Sequence, residues 1–148
     1  MTKDYFSTKR VTAWPADRDG QVGMAIKYAD GYQSWCPKDV FDREYQPITA
    51  MSFGAALVAL KRGGQVARAG WNGKGMHISL VPGSSEYLAP DRSRLIGGVS
   101  ENHFALGDSG TVTRMPHLAM RAADGSIVTG WLASQTDMLA EDWMIVGE

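Results

Sequence analysis

The sequence holds a single cysteine, Cys36, in 148 residues. One thiol excludes an intramolecular disulfide framework and any cysteine-rich zinc site. No apolar run approaches the roughly 18 residues that a membrane span needs. Met1-Thr2-Lys3-Asp4-Tyr5 lacks the apolar stretch of a secretion signal. Positive charge is not in surplus either. The 15 basic and 16 acidic residues give a net charge of −1, unlike the broad basic surface of a protein that coats DNA or RNA. With 44% hydrophobic and 21% charged residues, disorder is excluded over most of the length. These absences point to a soluble, globular, cytoplasmic protein that engages neither membrane nor nucleic acid.

Catalytic signatures are missing too. There is no Gly-x-Ser-x-Gly elbow, phosphate-binding P-loop, His-Glu-x-x-His or Cys-x-x-Cys. Gly73-x-Gly75 lacks the third glycine and following helix of a dinucleotide site, and reads as a hairpin turn. His77, His103 and His117 have no ligand-like spacing, so neither metal nor cofactor is expected. Asp137, Glu141 and Asp142 read as the solvated face of a short helix. The residues make no positive case for an enzyme.

Charge is unevenly placed. Residues 1–50 balance seven basic against seven acidic side chains, and 51–121 hold eight basic and four acidic. Residues 122–148 hold five acidic and no basic ones. Such polarity suits folding of the tail onto the middle, pairing of subunits, or a pocket with one cationic and one acidic wall.

Periodicity and turn residues predict an α+β fold in two parts. Residues 1–48 form a small β-rich module: strands over 8–14, 23–29 and 32–35, then a short helix over 38–45. Asp30-Gly31 suggests a type I′ turn, and 46–49 a linker. The second part, 51–148, opens with an amphipathic helix. Ser52 caps it, Phe53, Ala56, Leu57 and Leu60 share one face, and Gly63-Gly64 ends it. An antiparallel sheet follows, with hairpins over 65–81 and 117–131, a short helix near 137–141 and a last strand over 143–146. Residues 82–116 form a long loop in which only 103–106 and 111–113 look strand-like, and loops of that length tend to be functional.

Binding chemistry is better represented than catalysis. Arg68, Trp71, Asn72 and Lys74 gather a guanidinium, indole, amide and ammonium around one turn. Trp131 precedes Ser134-Gln135-Thr136-Asp137, a strand-to-helix junction whose free N–H groups can cradle an anion. The two indoles, Trp71 and Trp131, are expected to form an open slot for a flat, charged guest, while Trp35 and Trp143 read as core. Stacking supplies about 1–3 kcal/mol per base.

Three blocks carry a family resemblance: Met51-Ser52-Phe53-Gly54-Ala55-Ala56-Leu57, Arg68-Ala69-Gly70-Trp71-Asn72-Gly73-Lys74-Gly75-Met76, and Trp131-Leu132-Ala133-Ser134-Gln135-Thr136-Asp137 running on to Asp142-Trp143. In order and spacing, residues 51–148 resemble the second family of phage Thoeris anti-defence proteins. That resemblance implies a sponge in the cytoplasm of the infected bacterium. It would bind a cyclic nucleotide immune signal, glycocyclic ADP-ribose and in some members cyclic oligonucleotides, without cleaving it. It also implies pockets between subunits of a homo-oligomer, typically a tetramer. The site residues it implies are Arg68, Trp71, Asn72, Lys74, Trp131, Ser134, Gln135 and Asp137. Phe53 either closes the pocket or packs in the core. The alternatives are a phage protein–protein interaction or structural module with no small-molecule ligand, and an enzyme degrading the same signal.

Overall fold

The computed structural model describes residues 2–83 and 115–147. Most of the 82–116 segment, with its two strand-like stretches and His103, lies outside the described residues.

The fold is α+β, with two antiparallel sheets. The first is a meander of β1 (Thr12–Pro15), β2 (Gly23–Lys27) and β3 (Gln33–Pro37), followed directly by α1 (Lys38–Glu44). Strand β1 starts four residues later than the alternation predicts. The type I′ turn belongs to Asp19-Gly20, where both φ angles are positive (52° and 79°) and Arg18 and Gln21 exchange two backbone hydrogen bonds. At Asp30-Gly31 the expected type I′ turn is not formed, because only Gly31 has positive φ. The Asp30 carboxylate instead accepts from the Tyr32 N–H, and the Gly31 N–H donates to the Tyr28 carbonyl. That is a type I turn closed by a left-handed glycine. Asp124-Gly125 repeats it bond for bond, with Ser126 and Ala122 in the corresponding places.

The second sheet has the order β7-β6-β5-β4-β8, from β4 (Gln65–Arg68), β5 (His77–Val81), β6 (His117–Arg121), β7 (Ile127–Thr129) and β8 (Trp143–Gly147). Helix α2 (Phe53–Lys61) lies against it. The Ser52 hydroxyl accepts from the Ala55 N–H, as a Ser cap should. The apolar stripe of α2 buries Ala56 and Leu60 completely, against Val66 of β4, Ile78 of β5 and Trp143 of β8. Burying a leucine in this way contributes about 1.5–3 kcal/mol.

Two local choices matter for the site. Residues 46–49, expected as a linker, lead into a stretch that zips onto the outer edge of β8. Met51 and Trp143 exchange both backbone bonds, and the Ile145 N–H donates to Ile48. Helix α3 (Gln135–Leu139) starts two residues earlier than expected. The reason is a capping box: Ser134 accepts from the Asp137 N–H while the Asp137 carboxylate accepts from the Ser134 N–H.

Candidate functional site

Strand β4 pairs with β8 so that Arg68 sits opposite Trp143. This register brings the end of β4 and the region after β7 onto the same buried indole. Trp143 is fully buried, with its ring N–H donating to the Asp137 carbonyl at 2.9 Å. Trp71 packs on it edge-to-face (centroids 5.4 Å apart, planes at 77°) and so does Trp131 (6.1 Å, 79°). Phe53 covers another side at 5.3 Å, which places it on the aromatic core. Each such aromatic pair adds about 0.5–1.5 kcal/mol beyond area burial.

Trp71 and Trp131 also touch each other, at 6.1 Å and 65°. They therefore do not stand apart as parallel plates, and the open slot expected from the sequence is not formed. Trp143 draws both rings inward, and edge-to-face contact is the favoured geometry for aromatic pairs. What results is an aromatic corner whose two outer rings remain half-buried.

Beside the corner lies an ion network. The Arg68 Nε donates to Asp142 at 2.8 Å and its Nη1 to Asp137 at 2.9 Å. The second Asp142 oxygen accepts from the Gly70 N–H at 2.8 Å. A Cβ at Gly70 would stand 3.0 Å from that oxygen, so glycine is what lets the backbone close on the carboxylate. Hydrogen bonding to Arg68 holds the Asp142 carboxyl below the usual range despite its burial. Burial pushes the Asp137 carboxyl upward, but bonds from Ser134, Arg68 and Trp71 outweigh it and lower it overall. The guanidinium is raised in turn, first by Asp142 and then by Asp137.

The structure thus brings together Arg68, Trp71, Trp131, Ser134 and Asp137. Asn72, Lys74 and Gln135 are exposed at the margins. The polar atoms of Arg68 and Asp137 are directed at one another, and the N–H groups of Ser134 and Asp137 are taken by the capping box. The anion cradle expected at this junction is accordingly filled in part by the protein's own carboxylate. Lys74 instead borders an open groove of about 800 Å³, shared with Arg68, Met76, His77, Arg121 and Asp124. Neither Lys74 nor Arg121 forms an ion pair among the described residues. Sequence reasoning missed Asp142 as the second arm of the Arg68 clamp, and Arg121 as a second cation of the groove. For Asp142 the only signal was its place next to Trp143. For Arg121 there was none, because β5–β6 pairing alone sets it opposite His77.

No helix among the described residues is long and apolar enough to cross a membrane. Residues 51–146 match the family described as the Thoeris anti-defense 2-like domain. The protein named Thoeris anti-defense 2 of Bacillus phage SP01 is 44% identical over 99 residues, covering 66% of this chain and 97% of that protein. The matched stretch contains the whole tryptophan corner and its ion network. The chain belongs to the Thoeris anti-defence 2 family, and its role is anti-defence against Thoeris.

Proposed function

We propose that the protein is a sponge, which binds a cyclic nucleotide immune signal of the glycocyclic ADP-ribose type and holds it uncleaved in the host cytoplasm. The observation that carries this reading is the convergence of Trp71 and Trp131 on one half-buried corner from opposite ends of the domain. A base stacks on an outer indole face, worth about 1–3 kcal/mol. Lys74, in the turn after Trp71, forms no ion pair among the described residues and offers a cation for phosphate, while Gln135 offers an amide group for ribose. The Arg68 clamp holds the corner in place so that these groups need not be ordered on binding.

A homo-oligomer fits the same surface. Leu132, next to Trp131, is 90% exposed, and Leu139, the last residue of α3, is 82% exposed. Apolar side chains beside a ligand site suit a second copy that completes the pocket.

In the test, purified protein is incubated with glycocyclic ADP-ribose, separated from free ligand and heat-denatured. Depletion of the free signal followed by release of unaltered signal is expected. Failure to deplete it refutes binding, and release of an altered product refutes sequestration without cleavage. The second reading, an interaction module without a small-molecule ligand, draws on the same exposed leucines. It predicts no ligand-dependent rise in melting temperature, whereas tight binding raises it.

A further inference from the structure

Family resemblance implies Asp137 as a ligand contact, yet its polar atoms are already engaged within the protein. One carboxylate oxygen accepts from the Arg68 Nη1 at 2.9 Å. The other accepts from the Ser134 N–H at 3.1 Å and from the Ser134 hydroxyl at 2.7 Å. The Trp71 ring N–H bonds the same carboxylate. A carboxylate has about four lone-pair sites, so these donors leave no acceptor position for a ribose hydroxyl. The side chain is only 15% exposed. Its backbone is engaged as well: the Asp137 carbonyl accepts the Trp143 ring N–H at 2.9 Å, and its N–H donates to the Ser134 hydroxyl at 3.1 Å. Of the three indoles in the corner, Trp71 and Trp143 therefore both direct their ring N–H groups to Asp137. These two rings meet edge-to-face at 77°. Trp71 is also tied by its backbone, whose N–H donates to the Arg68 carbonyl at 3.2 Å. An indole held at its backbone, its ring N–H and one edge cannot turn without losing a bond or a packing contact.

We propose that Asp137 is a positioning residue: it touches no part of the bound nucleotide and instead fixes the ring of Trp71, so that one indole face is set for stacking before the ligand arrives. The ligand in this statement rests on the sponge reading above, whereas the fixed ring is a property of the free protein. A ring oriented beforehand needs no rotamer ordering on binding, and the stack then contributes in full. Charge is what suits Asp137 to the task. An asparagine of nearly the same size has one acceptor oxygen, and its NH₂ group would face the donors of Arg68, Ser134 or Trp71. Asp137→Asn thus keeps the volume and removes the hold on the ring.

The test uses the full chain with nitrogen-15 tryptophan, whose five indole N–H signals are followed by NMR. In ligand-free Asp137→Asn, shown to be folded by circular dichroism and cooperative melting, the Trp71 signal should move upfield and its proton exchange faster with water. Affinity for glycocyclic ADP-ribose should fall at least about fivefold, as most of one stack is lost. Trp71→Phe keeps an aromatic ring but has no N–H for Asp137 to hold. In that background Asp137→Asn should weaken binding by less than about twofold, because the two changes remove one interaction. A carboxylate that touched the ligand, or one that only supported the fold, would cost the same in both backgrounds. In the unmutated protein the Trp71 ring proton should stay slow to exchange at saturating ligand, a measurement that decides the matter even where Asp137→Asn fails to fold. An unmoved Trp71 signal in Asp137→Asn, equal losses in the two backgrounds, or release of the Trp71 proton on binding would each overturn the proposal. Failure of the unmutated protein to take up the signal would sink the sponge reading instead, with the ligand-free Trp71 signal still deciding whether Asp137 holds the ring.

Discussion

Replacing Arg68 by methionine keeps the aliphatic stem and deletes the guanidinium that joins β4 to Asp142 and α3. Two charge-assisted hydrogen bonds are lost, each worth about 1.5–3 kcal/mol. The side chains of Arg68, Asp137 and Asp142 are 16%, 15% and 32% exposed, so solvent at the margin screens part of that sum. A net loss of about 2 kcal/mol at pH 7 is expected, or roughly 4–8 °C in melting temperature for a chain of this size. Both carboxyls have native pKa values below their ordinary ones. Their stabilisation is thus complete above the unfolded value of about 4 and is lost as pH falls through the native values. Methionine removes the chief cause of that depression at Asp142. The deficit of the variant should therefore shrink on acidification from pH 7 to near pH 3. Urea unfolding read by tryptophan fluorescence at the two pH values measures both quantities, since three indoles surround the network. A deficit below about 0.5 kcal/mol at pH 7, or one equal at both pH values, would refute the clamp.

Further outcomes follow from the same geometry. Ser134→Ala removes the α3 cap and should cost about 1 kcal/mol, seen as a fall of about 2–4 °C in melting temperature. Trp131→Ala, in a variant shown to be folded by circular dichroism, should weaken glycocyclic ADP-ribose binding by at least about 1 kcal/mol in calorimetry; unchanged affinity would remove Trp131 from the site. Gly23→Ala drives a methyl into the Trp35 ring and should destabilise the first sheet by about 1–3 kcal/mol, displacing the Trp35 indole resonance. An unshifted resonance would mean the ring does not rest on Gly23.

Local signals in the sequence were read well where the causes were local. Ser52, the Phe53/Ala56/Leu57/Leu60 stripe and Gly63-Gly64 specify α2 with no help from distant residues. Asp-Gly pairs located both three-residue hairpins, yet turn type at Asp30 was misread, because an aspartate side chain can satisfy the loop without positive φ. Trp71 and Trp131 stood out through their polar neighbours. Their mutual angle was hidden, since Trp143 sets it, and Trp143 reaches them only through pairing of β8 with β4 some seventy residues away. Asp142 was hidden for the same reason: in a run of acids at a short helix nothing local distinguishes a solvated carboxylate from one that clamps Arg68.

The ladder between Ile48, Met51 and β8 also bears on how protein parts can be exchanged. Similarity to the family begins at residue 51, which falls inside that ladder. A chimera joined at 51 would strip Ile145 of its acceptor and leave the last strand with a bare flank. A junction just after Tyr45 keeps the Gln46 side chain on the Ser52 N–H and the seam whole. The natural cassette boundary, judged by chemistry, thus precedes the one judged by alignment.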